Sequence, residues 1–180
     1  MTSTYAKPKL SVKVQTLATV GAIAGAVILP QFFHLMGAVS GLGTALGEAF
    51  LPMHLPIILA GLLAGPYVGA IAGVLSPLIS FALTGMPTAA MLPFMMIELF
   101  VYGLTSGLLR NAKLPTIAKV VIAQIAGRAI RAIAILIAVY AFGHTAIPVP
   151  VIWNSIVTGL FGIALQWALI PLCVYRVENR

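Results

Sequence analysis

The chain has 180 residues, 61% of them hydrophobic and only 7% charged, with ten Lys and Arg against three acids. A soluble domain carries roughly a quarter charged residues, so this chain cannot clothe itself for water and reads as an all-α membrane protein. The net charge of +7 does not indicate a nucleic-acid partner, because the basic residues are scattered among apolar runs instead of sharing one solvated face.

A helical crossing of the bilayer takes about 20 residues, which leaves room for six transmembrane helices in a compact bundle and for no separate soluble domain. Residues 1–180 are therefore expected to form a single integral membrane domain. The first span, about 14–35, follows Lys7, Lys9 and Lys13. It is too long for a signal-peptide core and has no small-x-small cleavage site, so it is read as a retained helix. The glycine-rich segment Gly37 to Gly47 follows as a loop. Spans two and three, about 50–64 and 67–83, form a hairpin around the Gly65-Pro66 turn, and Thr84-Gly85-Met86-Pro87 closes the third. Span four covers about 90–109 and span five about 116–142, with the polar stretch Arg110 to Pro115 between them. His144 to Pro150 makes the next loop, and span six runs over about 151–175.

Basic residues in short flanks mark the cytoplasmic side. Lys7, Lys9 and Lys13 precede span one; Arg110, Lys113 and Lys119 lie between spans four and five; Arg176 and Arg180 follow span six. Six spans put all three groups on one side, so both termini are expected in the cytoplasm. The only charge near the opposite loops is Glu48.

Glycine recurs at Gly61, Gly65, Gly69 and Gly73, and again at Gly21 and Gly25 and at Gly103 and Gly107. Small residues four apart let helix backbones approach closely, so these positions are read as helix-packing seams. Ala18, Ala22 and Ala26 make a similar stripe on span one, smooth enough to receive a helix of another protein.

Ionisable residues inside a bilayer are costly and face a cavity or a partner. Glu98 in span four, Arg128 and Arg131 in span five, and His54 near the outer end of span two meet that description. Arg128 and Arg131 are three apart and share a helical face. One of them can pair with Glu98, which leaves a guanidinium that cannot deprotonate and is suited to an anion entering from outside. Arg131, nearer the outer face, is the better candidate. Trp153, Asn154 and Gln166 in span six add an interfacial ring and two amides to the same outer region. Trp153 also suits an interfacial belt and either amide a bond between helices.

Some chemistries are excluded. With no Asp, an aspartate proton relay or a two-metal carboxylate site cannot be built. The single cysteine, Cys173, and three dispersed histidines offer no metal site, and there is no phosphate-binding loop. No cofactor and no catalytic residue are expected in this chain, and ATP-driven work must come from another polypeptide.

The stretch FLPMHLPIILAGLLAGPYVGAIAGVLSPLISFALTGMP, Phe50 to Pro87, continued by MMIELFVYGLTSGLL, Met95 to Leu109, resembles the substrate-binding S component of energy-coupling factor (ECF) vitamin transporters. The resemblance implies a multi-pass protein of a prokaryotic plasma membrane that captures a vitamin from outside. It implies docking on one transmembrane coupling protein and two ATPase subunits, which use the ATP. It implies further that Ala18, Ala22 and Ala26 meet the coupling protein, that the loop Gly37 to Gly47 caps the ligand, and that the whole subunit topples to deliver it.

For the ligand, the two span-five arginines point to an anion, and the low aromatic content argues against a large flavin or pterin. Pantothenate ranks first, with cobalamin or a hydroxymethylpyrimidine or pyridoxine-type ligand as alternatives. A stand-alone secondary carrier is the competing class, though neither Asp nor an inverted repeat is present. A membrane enzyme would require His54 and Glu98 to meet.

Overall fold

The computed structural model describes residues 10–143 and 146–179. Lys7, Lys9, His144 and Arg180, used above for orientation and loop placement, lie outside the described residues.

Helix α1 (Val12–Val39) starts where the Ser11 hydroxyl accepts a hydrogen bond from the Val14 N–H at 3.4 Å. It runs through Pro30 to Val39, so the first residues of the expected glycine-rich loop are helical. The reversal is confined to residues 40–44, where Gly41 and Gly43 take φ of +75° and +56°. A short helix, α2 (Ala45–Phe50), then leads through the left-handed Leu51 into α3 (His54–Ala64).

Gly65, at φ +105°, ends α3, and Pro66 opens α4 (Pro66–Thr84), with its fixed φ suited to a first helical position. Helix α5 (Leu92–Leu108) tightens into a 3-10 turn at Leu109–Asn111, and α6 (Thr116–Phe142) follows. The last apolar run was expected as one span. It is instead divided into α7 (Val151–Thr158) and α8 (Leu160–Glu178). The physical reason is crowding at the junction. A Cβ at Gly159 would strike the Leu51 side chain, and one at Gly162 would strike the Phe50 backbone. The end of α2 is thus wedged against the α7–α8 joint.

Among the described residues, six helical stretches are long and apolar enough to cross a membrane: Val12–Val39, Ala45–Ala64, Pro66–Thr84, Leu92–Asn111, Thr116–Phe142 and Leu160–Glu178. The described residues contain no strand. The chain is an all-helical, six-span membrane protein.

Helix α5 is central, packed on α3, α4 and α6. Its glycines explain how. A Cβ on Gly69 or on Gly103 would overlap the other's backbone, Gly73 lies against the Leu99 backbone, and Gly107 lies against the Gly65-Pro66 turn. The four-residue glycine spacing is the α4–α5 seam, where backbones touch and dispersion replaces the hydrophobic drive that lipid cannot supply.

Helix α1 corrects one expectation. Ala22 and Ala26 are buried, at 8% and 0% exposure, in the core with Ile57 and Ile58, and Ala18 is half-buried. That stripe seats α1 on α3 and α4 and is not an outward face. The outward face of α1 carries Leu17, Val20, Gly21, Ala24 and Ile28.

Candidate functional site

Four helices bring polar groups together inside the bundle. Glu98, on α5, is 1% exposed, and four groups surround its carboxylate. Arg131 of α6 donates from Nη1 to Oε2 at 2.6 Å. Tyr102, one turn along α5, donates its hydroxyl to Oε1 at 2.9 Å. Arg128 of α6 stands with Nε 3.8 Å from Oε1, a looser ion pair. The His54 ring, at the start of α3, approaches with Nε2 4.0 Å from Oε2, too far for a hydrogen bond, and lies 5.3 Å from the Tyr102 ring centre. From α7, Ser155 accepts a hydrogen bond from Arg131 Nη2 at 2.6 Å and donates to the Ile152 carbonyl at 3.1 Å.

This arrangement follows from local sequence. The i, i+4 spacing puts Tyr102 over Glu98 on one helical face, and i, i+3 spacing sends both arginines toward α5. The close passage of α6 over α5 has its own cause: a Cβ at Gly127 would collide with the Tyr102 ring and the Glu98 carbonyl. One carboxylate thus answers two guanidiniums, and the cluster keeps a net positive charge.

Above this floor is a cavity of about 390 Å³. Glu98, Arg131 and His54 form its polar base, and Met53, Met91, Met95 and Pro87 form apolar walls. Asn154, Ser155 and Thr158 border it from α7 and its end. His34, Thr44 and Glu48 line it from the α1 end and α2, and the Thr44 hydroxyl donates to Glu48 at 3.0 Å. The short segment Thr44 to Met53 therefore contributes much of the wall.

Of the residues singled out in the sequence, His54, Glu98, Arg131 and Asn154 line this cavity. Arg128 and Trp153 do not; they border a smaller cavity between α6 and α7, where Trp153 is 70% exposed. Gln166 lines neither. It is buried, accepts from Gln124 Nε2 at 2.9 Å and reaches the Leu51 carbonyl at 3.4 Å, while Trp167 donates to Gln124 at 2.7 Å. Asn154 and Gln166 were expected in one span and the same outer region, but they lie on α7 and α8, either side of the joint at Gly159. Tyr102, Ser155, Gln124 and the methionine walls were missed. Tyr102 alone had a signal, its place one turn from Glu98. His54 and Glu98 do meet, but Glu98 is bonded to Arg131 and Tyr102 and is not a free base.

Fold and cavity define a multi-pass helical membrane protein with an internal cavity of about 390 Å³ that has charged groups at its base. The chain matches the family model described as "ECF transporter, substrate-specific component" over residues 13–174. It belongs to that family, and is a substrate-specific subunit of an ECF transporter. No curated protein and no solved structure matches it.

Proposed function

We propose that this subunit captures pantothenate from outside the cell and holds it in the cavity above Glu98 and Arg131. The observation that carries the reading is the cavity itself: about 390 Å³, apolar-walled, with a guanidinium in its base. That volume lies within the ordinary range for small-molecule sites. The methionine and proline walls suit a branched aliphatic body. Asn154, Ser155 and Thr158 suit hydroxyls and an amide, and Arg131 suits a carboxylate.

A second reading is a hydroxymethylpyrimidine or pyridoxine-type ligand, favoured by Glu48 and Glu98 bordering the same cavity. Two carboxylates are acceptors for the ring nitrogens and hydroxyls of such a molecule.

In this reading the protein sits in a prokaryotic plasma membrane with both termini in the cytoplasm. It docks on a coupling protein and two ATPase subunits that hydrolyse the ATP, with no cofactor or catalytic role of its own. The docking face on α1 is the exposed row Leu17, Gly21, Ala24 and Ile28, beside Ala18.

A thermal-shift screen of the detergent-purified protein across the B vitamins tests the ligand. Pantothenate is expected to raise the melting midpoint and cobalamin to leave it unchanged. A shift with a pyrimidine or pyridoxine-type compound and none with pantothenate would select the second reading.

A further inference from the structure

The smaller cavity, about 210 Å³, lies between the middle of α6 and α7. It shares two lining residues with the larger one, Arg131 and Ser155, and these are hydrogen-bonded to each other at 2.6 Å. The bonded pair therefore borders both cavities.

Charge divides across it. Glu48 and Glu98 both border the larger chamber, with Arg131 as its guanidinium. The smaller chamber is bordered by Arg128 and Arg131 and, among the described residues, by no acid. Arg128 has a side chain only 17% exposed, yet its contact with Glu98 is a 3.8 Å approach through Nε, and it makes no hydrogen bond to the described residues. Its remaining N–H donors are therefore available. An anion in the larger chamber would meet two carboxylates and one guanidinium, Arg131, already bonded to Glu98, whereas in the smaller one it would meet Arg128 beside Arg131 with no carboxylate in the lining. Charge-assisted bidentate bonding to a guanidinium is the strongest polar contact either chamber can offer.

We propose that the smaller cavity is the anion compartment of the binding site: it takes the carboxylate end of an elongated ligand at Arg128, while the neutral body fills the larger chamber. The inference rests on the solute-capture reading above. Ser155 is the gatekeeper, displaced from Arg131 as the carboxylate enters. The α7 segment that carries it is short and separated from α8 at Gly159, which suits a small outward shift.

Trp153 borders this compartment and reports on it, whereas the other tryptophan, Trp167, is bonded to Gln124. The probes are 3-bromopropionate and 3-bromopropanol, whose bromine quenches indole fluorescence on contact. In the unaltered, purified chain the acid is expected to quench saturably and the alcohol not. The saturable signal disappears in Trp153→Phe, weakens about tenfold or more in Arg128→Gln, and weakens less in Arg128→Lys, which keeps the charge but loses the bidentate fork. Equal quenching by acid and alcohol overturns the proposal, with no variant needed. So does quenching that ignores Arg128→Gln. Pantothenate is expected to displace the acid probe. Failure to displace it, with probe binding intact, leaves the compartment standing and removes pantothenate as the ligand.

Discussion

Arg131 Nη1 lies 2.6 Å from Glu98 Oε2, so an acid of α5 and a cation of α6 neutralise each other between two central helices. The same guanidinium binds Ser155 of α7. One side chain thereby joins three helices and forms part of the wall of two cavities.

Removing the acid leaves two buried guanidiniums without their shared counter-charge. Glu98→Gln keeps the volume and is expected to destabilise the protein by about 3–5 kcal/mol, the cost of orphaning a buried charge. Adding Arg131→Met should recover part of the loss, since fewer charges then remain unpaired. Thermal unfolding in detergent reads both. A midpoint unchanged in Glu98→Gln would show that Tyr102 and the arginines do not depend on the carboxylate.

Close backbone contact at the α4–α5 seam gives a second outcome. Gly103→Ala places a methyl group inside the Gly69 backbone, so the helices must part, at about 1–3 kcal/mol or more. Gly21→Ala is the control, because nothing lies within 4 Å of its Cβ position. The first variant should lose yield and thermal midpoint while the second matches the parent. Equal behaviour of the two would remove the seam as a source of stability.

The contrast between those glycines shows what the sequence disclosed. The number of spans and their approximate ends were legible from apolar run lengths, and the packing role of Gly69 and Gly103 from their spacing. So was the meeting of Glu98 with an arginine, because a buried charge needs a partner. Facing direction was not legible on α1, where a nearly uniform apolar composition hides which side is inward, and Ala22 and Ala26 turned out buried. Nor was the joint at Gly159, which depends on the Leu51 side chain arriving from a distant part of the chain. Gln124 and Gln166 are 42 residues apart, and local spacing carries no trace of that bond.

The orientation of α1 sharpens a test of docking. Ala24 faces outward and Ala26 is fully buried, so a large side chain separates two roles two residues apart. Ala24→Trp is expected to leave folding and ligand binding near the parent while blocking co-purification with the coupling protein and ATPases. Ala26→Trp is expected to abolish folding by overpacking the core. Normal complex formation by Ala24→Trp would move the docking face to another helix.

The two amides of the last apolar run also part company. Asn154 borders the larger cavity, so Asn154→Ala should weaken ligand binding several-fold, the worth of about 1 kcal/mol for one hydrogen bond, with little change in melting. Gln166 is 1% exposed and borders neither cavity, and it is the acceptor for Gln124 Nε2. Gln166→Leu leaves that buried donor unpaired and should cost about 1–3 kcal/mol of stability. Its effect on affinity should be smaller than that of Asn154→Ala, because it reaches the cavity only through the Leu51 carbonyl. Titration calorimetry and thermal unfolding on the same two variants separate the roles; an affinity loss in Gln166→Leu exceeding that in Asn154→Ala would place Gln166 at the ligand after all.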